Sequence, residues 1–209
     1  MEYRYLLIVR FALFNLVVLS ALFASFLEGW LDGLTNDVAT MVMCLGIFAA
    51  FFYGFVVCAY RIWRTSVELN ELKTGTPAPD TRAAGYLREI ELRNGESRTI
   101  KMHMVRLKLS NRIAVVRHTA NSLVFLGLVG TVIGFIVALS GVDPKSIGSP
   151  ESVGPMVATL IQGMSIALYT TLVGSVLYLW LIVNHRMLAS GTLNLMNAIV
   201  ELGESRVRV

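Results

Sequence analysis

Four apolar segments, each long enough to cross a lipid bilayer as a helix, constrain the fold of this chain more than any other feature. A hydrocarbon core about 30 Å thick requires roughly 20 helical residues. The segments cover residues 11–31, 38–60, 119–140 and 156–183. A spanning segment must satisfy its own backbone hydrogen bonds, so each segment is predicted to be α-helical. The sequence therefore predicts an all-α membrane protein with four transmembrane helices, and its 55% apolar content agrees with that prediction.

The basic residues predict how these helices are oriented. Of the 18 Lys and Arg residues, only Lys145 lies in a connection on the other side of the membrane from the rest. Because basic residues accumulate on the cytoplasmic side of membrane proteins, the N-terminus, the central region and the C-terminus are predicted to be cytoplasmic. Basic residues beside spans usually face anionic lipid head groups, and no aromatic platform accompanies them here. These basic residues are thus expected to contact the lipid bilayer and not nucleic acid.

Composition divides the chain into four regions. Peripheral transmembrane helices 1 and 2 occupy residues 1–62, a cytoplasmic helical region 63–117, transmembrane helices 3 and 4 residues 118–186, and an amphipathic cytoplasmic tail 187–209. The stretch after Thr99 lacks proline and glycine until Gly127, which predicts that the third helix begins in the cytoplasm. The fourth helix is predicted to start near Pro155 and to continue into the tail.

Charged side chains of the cytoplasmic region are candidate contacts with another protein. They are Arg82, Arg88, Glu89, Glu91 and Arg93. For any one of them, a solvated helix face is the alternative interpretation.

The last two apolar segments contain no Lys, Arg, Asp, Glu or His. The sequence also offers no Ser/His/Asp arrangement, no phosphate-binding loop and no metal motif of the HExxH type. It therefore predicts neither an enzymatic activity nor a cofactor or metal site.

Small and hydroxyl residues recur at helical spacing in the same two segments. In the third they are Gly127, Gly130, Thr131, Gly134 and Ala138, and in the fourth Gly163, Ala167, Thr170, Thr171, Gly174 and Ser175. Residues three or four apart share a helix face, so close helix packing is the simplest interpretation. A narrow polar path is the alternative, because Thr131 and Thr171 are predicted to lie at similar depths. Thr170 would then face the glycines, and Thr171 the ion path.

Two motifs, GLVGTVIGF (127–135) and GMSIALYTTLVG (163–174), together resemble the MotA/TolQ/ExbB proton channel family. The resemblance covers roughly residues 121–186. It implies a subunit of a motor in the bacterial inner membrane, five copies of which surround two copies of a single-span partner similar to MotB, TolR or ExbD. It further implies that a transmembrane aspartate of the partner carries a proton or sodium ion past Thr131 and Thr171, which match the family's pore threonines.

Departures from the family pattern favour one subtype. Ile166 stands where the TolQ/ExbB branch usually carries glutamate, and the four spans imply a MotA-like layout, yet the central region is short for a flagellar stator. The leading hypothesis is a non-flagellar member of the family. The alternative is a non-conducting membrane scaffold or sensor whose basic cytoplasmic region binds a partner. A neighbouring gene for a single-span protein with a membrane aspartate would favour the motor.

Overall fold

The computed structural model describes residues 6–29, 38–73, 96–142 and 150–207. Within these residues the chain forms four α-helices, α1 (Leu6–Leu27), α2 (Val38–Lys73), α3 (Glu96–Ser140) and α4 (Pro150–Val207). Each helix includes a stretch that is long and apolar enough to span a membrane. The predicted all-α architecture with four candidate spans is therefore confirmed.

Three of the helices continue well beyond their apolar segments. Helix α2 runs on to Lys73, α3 begins at Glu96, and α4 continues without a break to Val207. With 45 and 58 residues, α3 and α4 are rods of roughly 68 Å and 87 Å at about 1.5 Å per residue. The predicted long third helix and the predicted continuation of the fourth helix are both present.

Helix α1 is shifted towards the N-terminus relative to its predicted segment of residues 11–31. It begins at Leu6, because the residues before Phe11 are themselves mostly apolar, and it ends at Leu27. Gly29 terminates it with a backbone φ of 74°, a left-handed conformation that glycine adopts without steric cost. The amide of Gly29 donates to the carbonyl of Phe26 at 3.1 Å, which closes the last turn.

The prediction that α4 starts near Pro155 is wrong. The helix starts at Pro150, and Pro155 lies inside it. Proline suits a first helical position because the amide there has no intrahelical partner, and Pro150 takes that role. Pro155 costs the helix one backbone hydrogen bond, while its own carbonyl accepts a hydrogen bond from the Thr159 hydroxyl at 3.1 Å.

The described contacts group the chain into two compact regions. Of the described residues, region 1 comprises 6–17, 55–73, 96–117 and 182–207. In it, the rings of Phe11 and Phe55 stack with centroids 5.9 Å apart, and α1 approaches α4 so closely that a Cβ on Gly191 would lie 2.6 Å from Leu7 Cδ2.

Of the described residues, region 2 comprises 18–29, 38–54, 118–142 and 150–181, and it contains both glycine-rich motifs. Its core places the ring of Phe51 4.8 Å from that of Trp180. A Cβ on Gly54 would lie 2.8 Å from Leu181 Cδ2. Helix α2 therefore packs in this region against the part of α4 that follows its glycine-rich motif.

The outward surface of these helices is strongly apolar. Leucine and valine side chains are exposed along all four of them, and in α1 the one buried residue is Asn15. Extended apolar surface of this kind indicates contact with lipid or with other membrane subunits. This pattern, apolar outside and an amide inside, fits a membrane-embedded helix.

Candidate ion path

Helices α3 and α4 approach each other at their glycines. A Cβ on Gly134 would lie 2.5 Å from the carbonyl oxygen of Gly163 and 2.6 Å from the amide nitrogen of Ala167. A Cβ on Gly163 would lie 2.6 Å from the Cα of Ala138. Backbone atoms occupy the space that any larger side chain would need, so these positions require glycine for the observed packing.

Thr170 is part of this packed surface. It is fully buried, and its hydroxyl donates a hydrogen bond shared between the carbonyls of Ile166 (2.8 Å) and Ala167 (3.1 Å) on its own helix. Its side chain lies against Gly130, where an added Cβ would be 2.5 Å from Thr170 Cβ. The hydroxyl of Thr170 is therefore satisfied inside the subunit, and its Oγ1, Cβ and methyl carbon all lie close to Gly130.

Thr171 lies at the edge of the same interface with its side chain exposed. Its hydroxyl is 3.4 Å from the carbonyl oxygen of Gly127, a long and weak hydrogen bond. Three residues further along α4, a Cβ on Gly174 would lie 2.8 Å from the carbonyl oxygen of Leu123 and 3.2 Å from the Cα of Gly127. Thr171 thus keeps a hydroxyl that can bind water or an ion at little cost.

Thr131 is half-buried and donates its hydroxyl proton to the carbonyl of Leu128 at 2.6 Å. The contacts Gly127–Thr171 and Gly130–Thr170 fix the antiparallel register of α3 and α4. In that register Thr131 lies nearly one turn, about 5 Å, from the level of Thr171. The two threonines are therefore at neighbouring depths, and each bonds a main-chain carbonyl of α3 rather than the other threonine.

These positions fall within a known family pattern. The family model for the MotA/TolQ/ExbB proton channel family matches residues 92–201, just over half of the chain. The chain belongs to this family. Its members are channel-type membrane proteins that act in motor-like complexes and typically work with a single-span partner. Searches of curated proteins and of solved structures gave no match.

The matched MotA/TolQ/ExbB region includes all of the contacts between α3 and α4 described above. Ile166 is completely buried in the subunit, and its carbonyl accepts a hydrogen bond from the Thr170 hydroxyl. Ser175 is half-buried, one residue beyond Gly174. An apolar side chain suits the position of Ile166 because a carboxylate there would be cut off from water.

The predicted cytoplasmic contacts of this family member, at positions 82, 88, 89, 91 and 93, lie outside the described residues. Among the residues that the structure does describe, no group of three His, Cys, Asp or Glu side chains could hold a metal ion.

A buried pair of asparagine side chains was not among the candidate residues predicted from the sequence. Asn15 of α1 donates to Asn184 Oδ1 at 3.0 Å, and Asn184 of α4 donates back to Asn15 Oδ1 at 3.2 Å, with both residues buried. Asn15 also donates to the carbonyl of Phe11 at 2.7 Å. The sequence feature that could have indicated this pair is an asparagine inside an apolar run, because a buried amide needs a hydrogen-bond partner. The identity of that partner, 169 positions away, requires the fold.

Proposed function

We propose that the chain is the ion-conducting subunit of a motor complex in the bacterial inner membrane, which converts an ion motive force into mechanical work. The ion is a proton or sodium. Five copies surround two copies of a single-span partner of the MotB/TolR/ExbD type, and the partner contributes the aspartate that binds and releases the ion. The N- and C-termini of each subunit lie in the cytoplasm.

One observation carries the proposal beyond family membership. Thr171 keeps an exposed hydroxyl beside a closely packed helix pair, in a span that has no charged residue. A hydroxyl can hydrate or coordinate a passing ion, but it cannot take up and release a proton near neutral pH. A path lined in this way needs a titratable group from another chain, which the partner's aspartate supplies.

The residues of the candidate site divide into two roles under this proposal. Thr131 and Thr171 line the ion path, and Ser175 extends it by one turn. The packing residues keep α3 and α4 close together and so fix the width of the path. They are Gly127, Gly130, Gly134, Gly163, Ala167, Thr170 and Gly174. The charged positions 82, 88, 89, 91 and 93 are proposed to pass the motion to a cytoplasmic machine.

Co-purification with the product of the neighbouring gene tests this proposal. The full chain is expressed with a single-span protein from its own gene cluster, and the complex is reconstituted into vesicles. We expect a five-to-two complex by mass measurement, and ion uptake that disappears when the partner's membrane aspartate is changed to asparagine. Stable assembly with no ion flux under any gradient would instead support the non-conducting scaffold.

A further inference from the structure

Hydroxyl side chains continue along α4 beyond Thr171, within region 2. In residues 172–181 the hydroxyl groups belong to Ser175 and Tyr178, and no residue of this stretch is charged. Its other polar side chain, the indole of Trp180, is buried with its ring 4.8 Å from that of Phe51. Ser175 and Tyr178 are both half-buried, so each is accessible from outside the subunit.

Helix geometry places Tyr178 on the same side of α4 as Thr171. The helix is continuous through this stretch. Seven residues turn an α-helix through about 700°, roughly 20° short of two full turns, and advance it by about 10 Å. Ser175, four residues after Thr171, is offset by about 40° in the other direction. The three residues therefore follow one line along α4, which we call the Thr171 side.

A tyrosine hydroxyl cannot be satisfied by its own helix as a threonine hydroxyl can. The hydroxyls of Thr159 and Thr170 each donate to a carbonyl four residues earlier, at 3.1 Å and 2.8 Å. The ring of a tyrosine holds its hydroxyl away from the main chain of that turn, so this group pairs with another chain segment, with water or with an ion. On the Thr171 side of a span without charged residues, water and the conducted ion are the partners that fit best.

We propose that Tyr178 lines the inner end of the ion path, where its hydroxyl binds the ion, or the water that solvates it, between Thr171 and the cytoplasm. This inference rests on the proposed function and on the orientation given there. A phenol hydroxyl both donates and accepts hydrogen bonds. It can therefore coordinate a sodium ion through its oxygen, or order the water molecules that solvate a proton.

Ion flux through the reconstituted complex tests this inference with Tyr178→Phe, which removes the hydroxyl and keeps the ring. We expect flux per assembled complex to fall about ten-fold, the usual effect of losing one hydrogen bond to a charged group, while assembly with the partner is unchanged. Wild-type flux in Tyr178→Phe would overturn this inference and leave the proposed function intact. A wild-type complex that conducts no ion would overturn both.

Tyr169→Phe is the matched control. Tyr169 is also half-buried in α4, but it precedes Tyr178 by nine residues, so the two side chains lie about 180° apart around the helix. Tyr169 lines a surface groove together with Ser165 and Leu172. Its variant loses the same hydroxyl and should keep wild-type flux. An equal loss of flux in both variants would overturn the assignment of Tyr178 to the ion path.

Thiol labelling shows whether position 178 meets water without requiring any ion flux. Tyr178→Cys and Tyr169→Cys complexes in membranes are treated from the cytoplasmic side with a charged thiol reagent. The native cysteines, Cys44 and Cys58, are buried, so the wild type gives the background. We expect Tyr178→Cys to react about ten-fold faster than Tyr169→Cys, because only the thiolate reacts and apolar surroundings suppress its formation. Equal rates would place Tyr178 against lipid or a neighbouring subunit and overturn the inference. If Tyr178→Cys does not assemble, the flux of Tyr178→Phe decides.

Discussion

Thr170 packs its side chain onto the bare backbone of Gly130, where a Cβ would come within 2.5 Å of Thr170 Cβ. The next residue, Thr171, is exposed, and its hydroxyl makes a long contact of 3.4 Å with the Gly127 carbonyl. Two adjacent residues with the same side chain thus have different surroundings, because a helix turns about 100° per residue. This difference makes it possible to separate packing from ion conduction experimentally.

Gly163→Ala should destabilise the subunit. The new Cβ would meet the backbone of Gly134 and Ala138, which cannot move aside as a flexible side chain could. Overpacking of this kind typically lowers the free energy of unfolding by about 1–3 kcal/mol. Unfolding of the protein in detergent measures this loss. Gly46→Ala is the control, because nothing lies within 4 Å of the added methyl group. It should be neutral or stabilising by up to about 1 kcal/mol, since alanine is the better helix former. Equal destabilisation by both variants would contradict the close approach of α3 and α4.

The Asn15–Asn184 pair should show energetic coupling. Asn15→Leu leaves the Asn184 amide buried without its reciprocal partner, and Asn184→Leu does the converse. Hydrogen bonds between transmembrane helices contribute about 0.6 kcal/mol on average and up to about 1.7 kcal/mol. We therefore expect the double variant to be less destabilised than the sum of the two single variants. A double-mutant cycle on unfolding free energies measures this difference, and strictly additive losses would mean that the two amides do not stabilise each other.

The continuation of α4 beyond its apolar segment should behave as a packed helix. Leu195 is completely buried there, whereas Leu193, two residues earlier, is largely exposed. Leu195→Ala should cost about 2–5 kcal/mol of unfolding free energy, as for other buried leucines. Leu193→Ala should change it by about 0.5 kcal/mol or less. Similar effects of both substitutions would show that this part of α4 does not pack against the rest of the subunit.

The sequence allowed much of this architecture to be predicted, for identifiable physical reasons. Helix α2 begins at Val38 and α3 ends at Ser140, as the apolar segments indicated, because hydrophobicity alone marks the limits of a span. The spacing of positions 163, 167, 170 and 174 placed four small residues on one helix face, and the structure buries all four. Helical periodicity is thus sufficient to identify a packed face.

Other features could not be predicted because they depend on which elements meet. The Asn15–Asn184 pair needs α1 to lie beside α4, and nothing in either local sequence specifies that neighbour. The start of α4 was misplaced because two prolines, Pro150 and Pro155, both satisfy the local rule for a first helical position.

The ion flux of reconstituted complexes that contain Thr171→Val or Thr170→Val tests the central claim most directly. Thr171→Val should lower flux by roughly ten-fold, since a hydrogen bond to a charged group contributes about 1.5 kcal/mol, while assembly with the partner stays normal and Thr171→Ser restores the flux. Thr170→Val removes a hydroxyl that is bonded to its own helix, so it should lower stability slightly and leave flux per assembled complex unchanged. Wild-type flux in Thr171→Val, or loss of assembly together with flux, would contradict the assignment of Thr171 to the ion path.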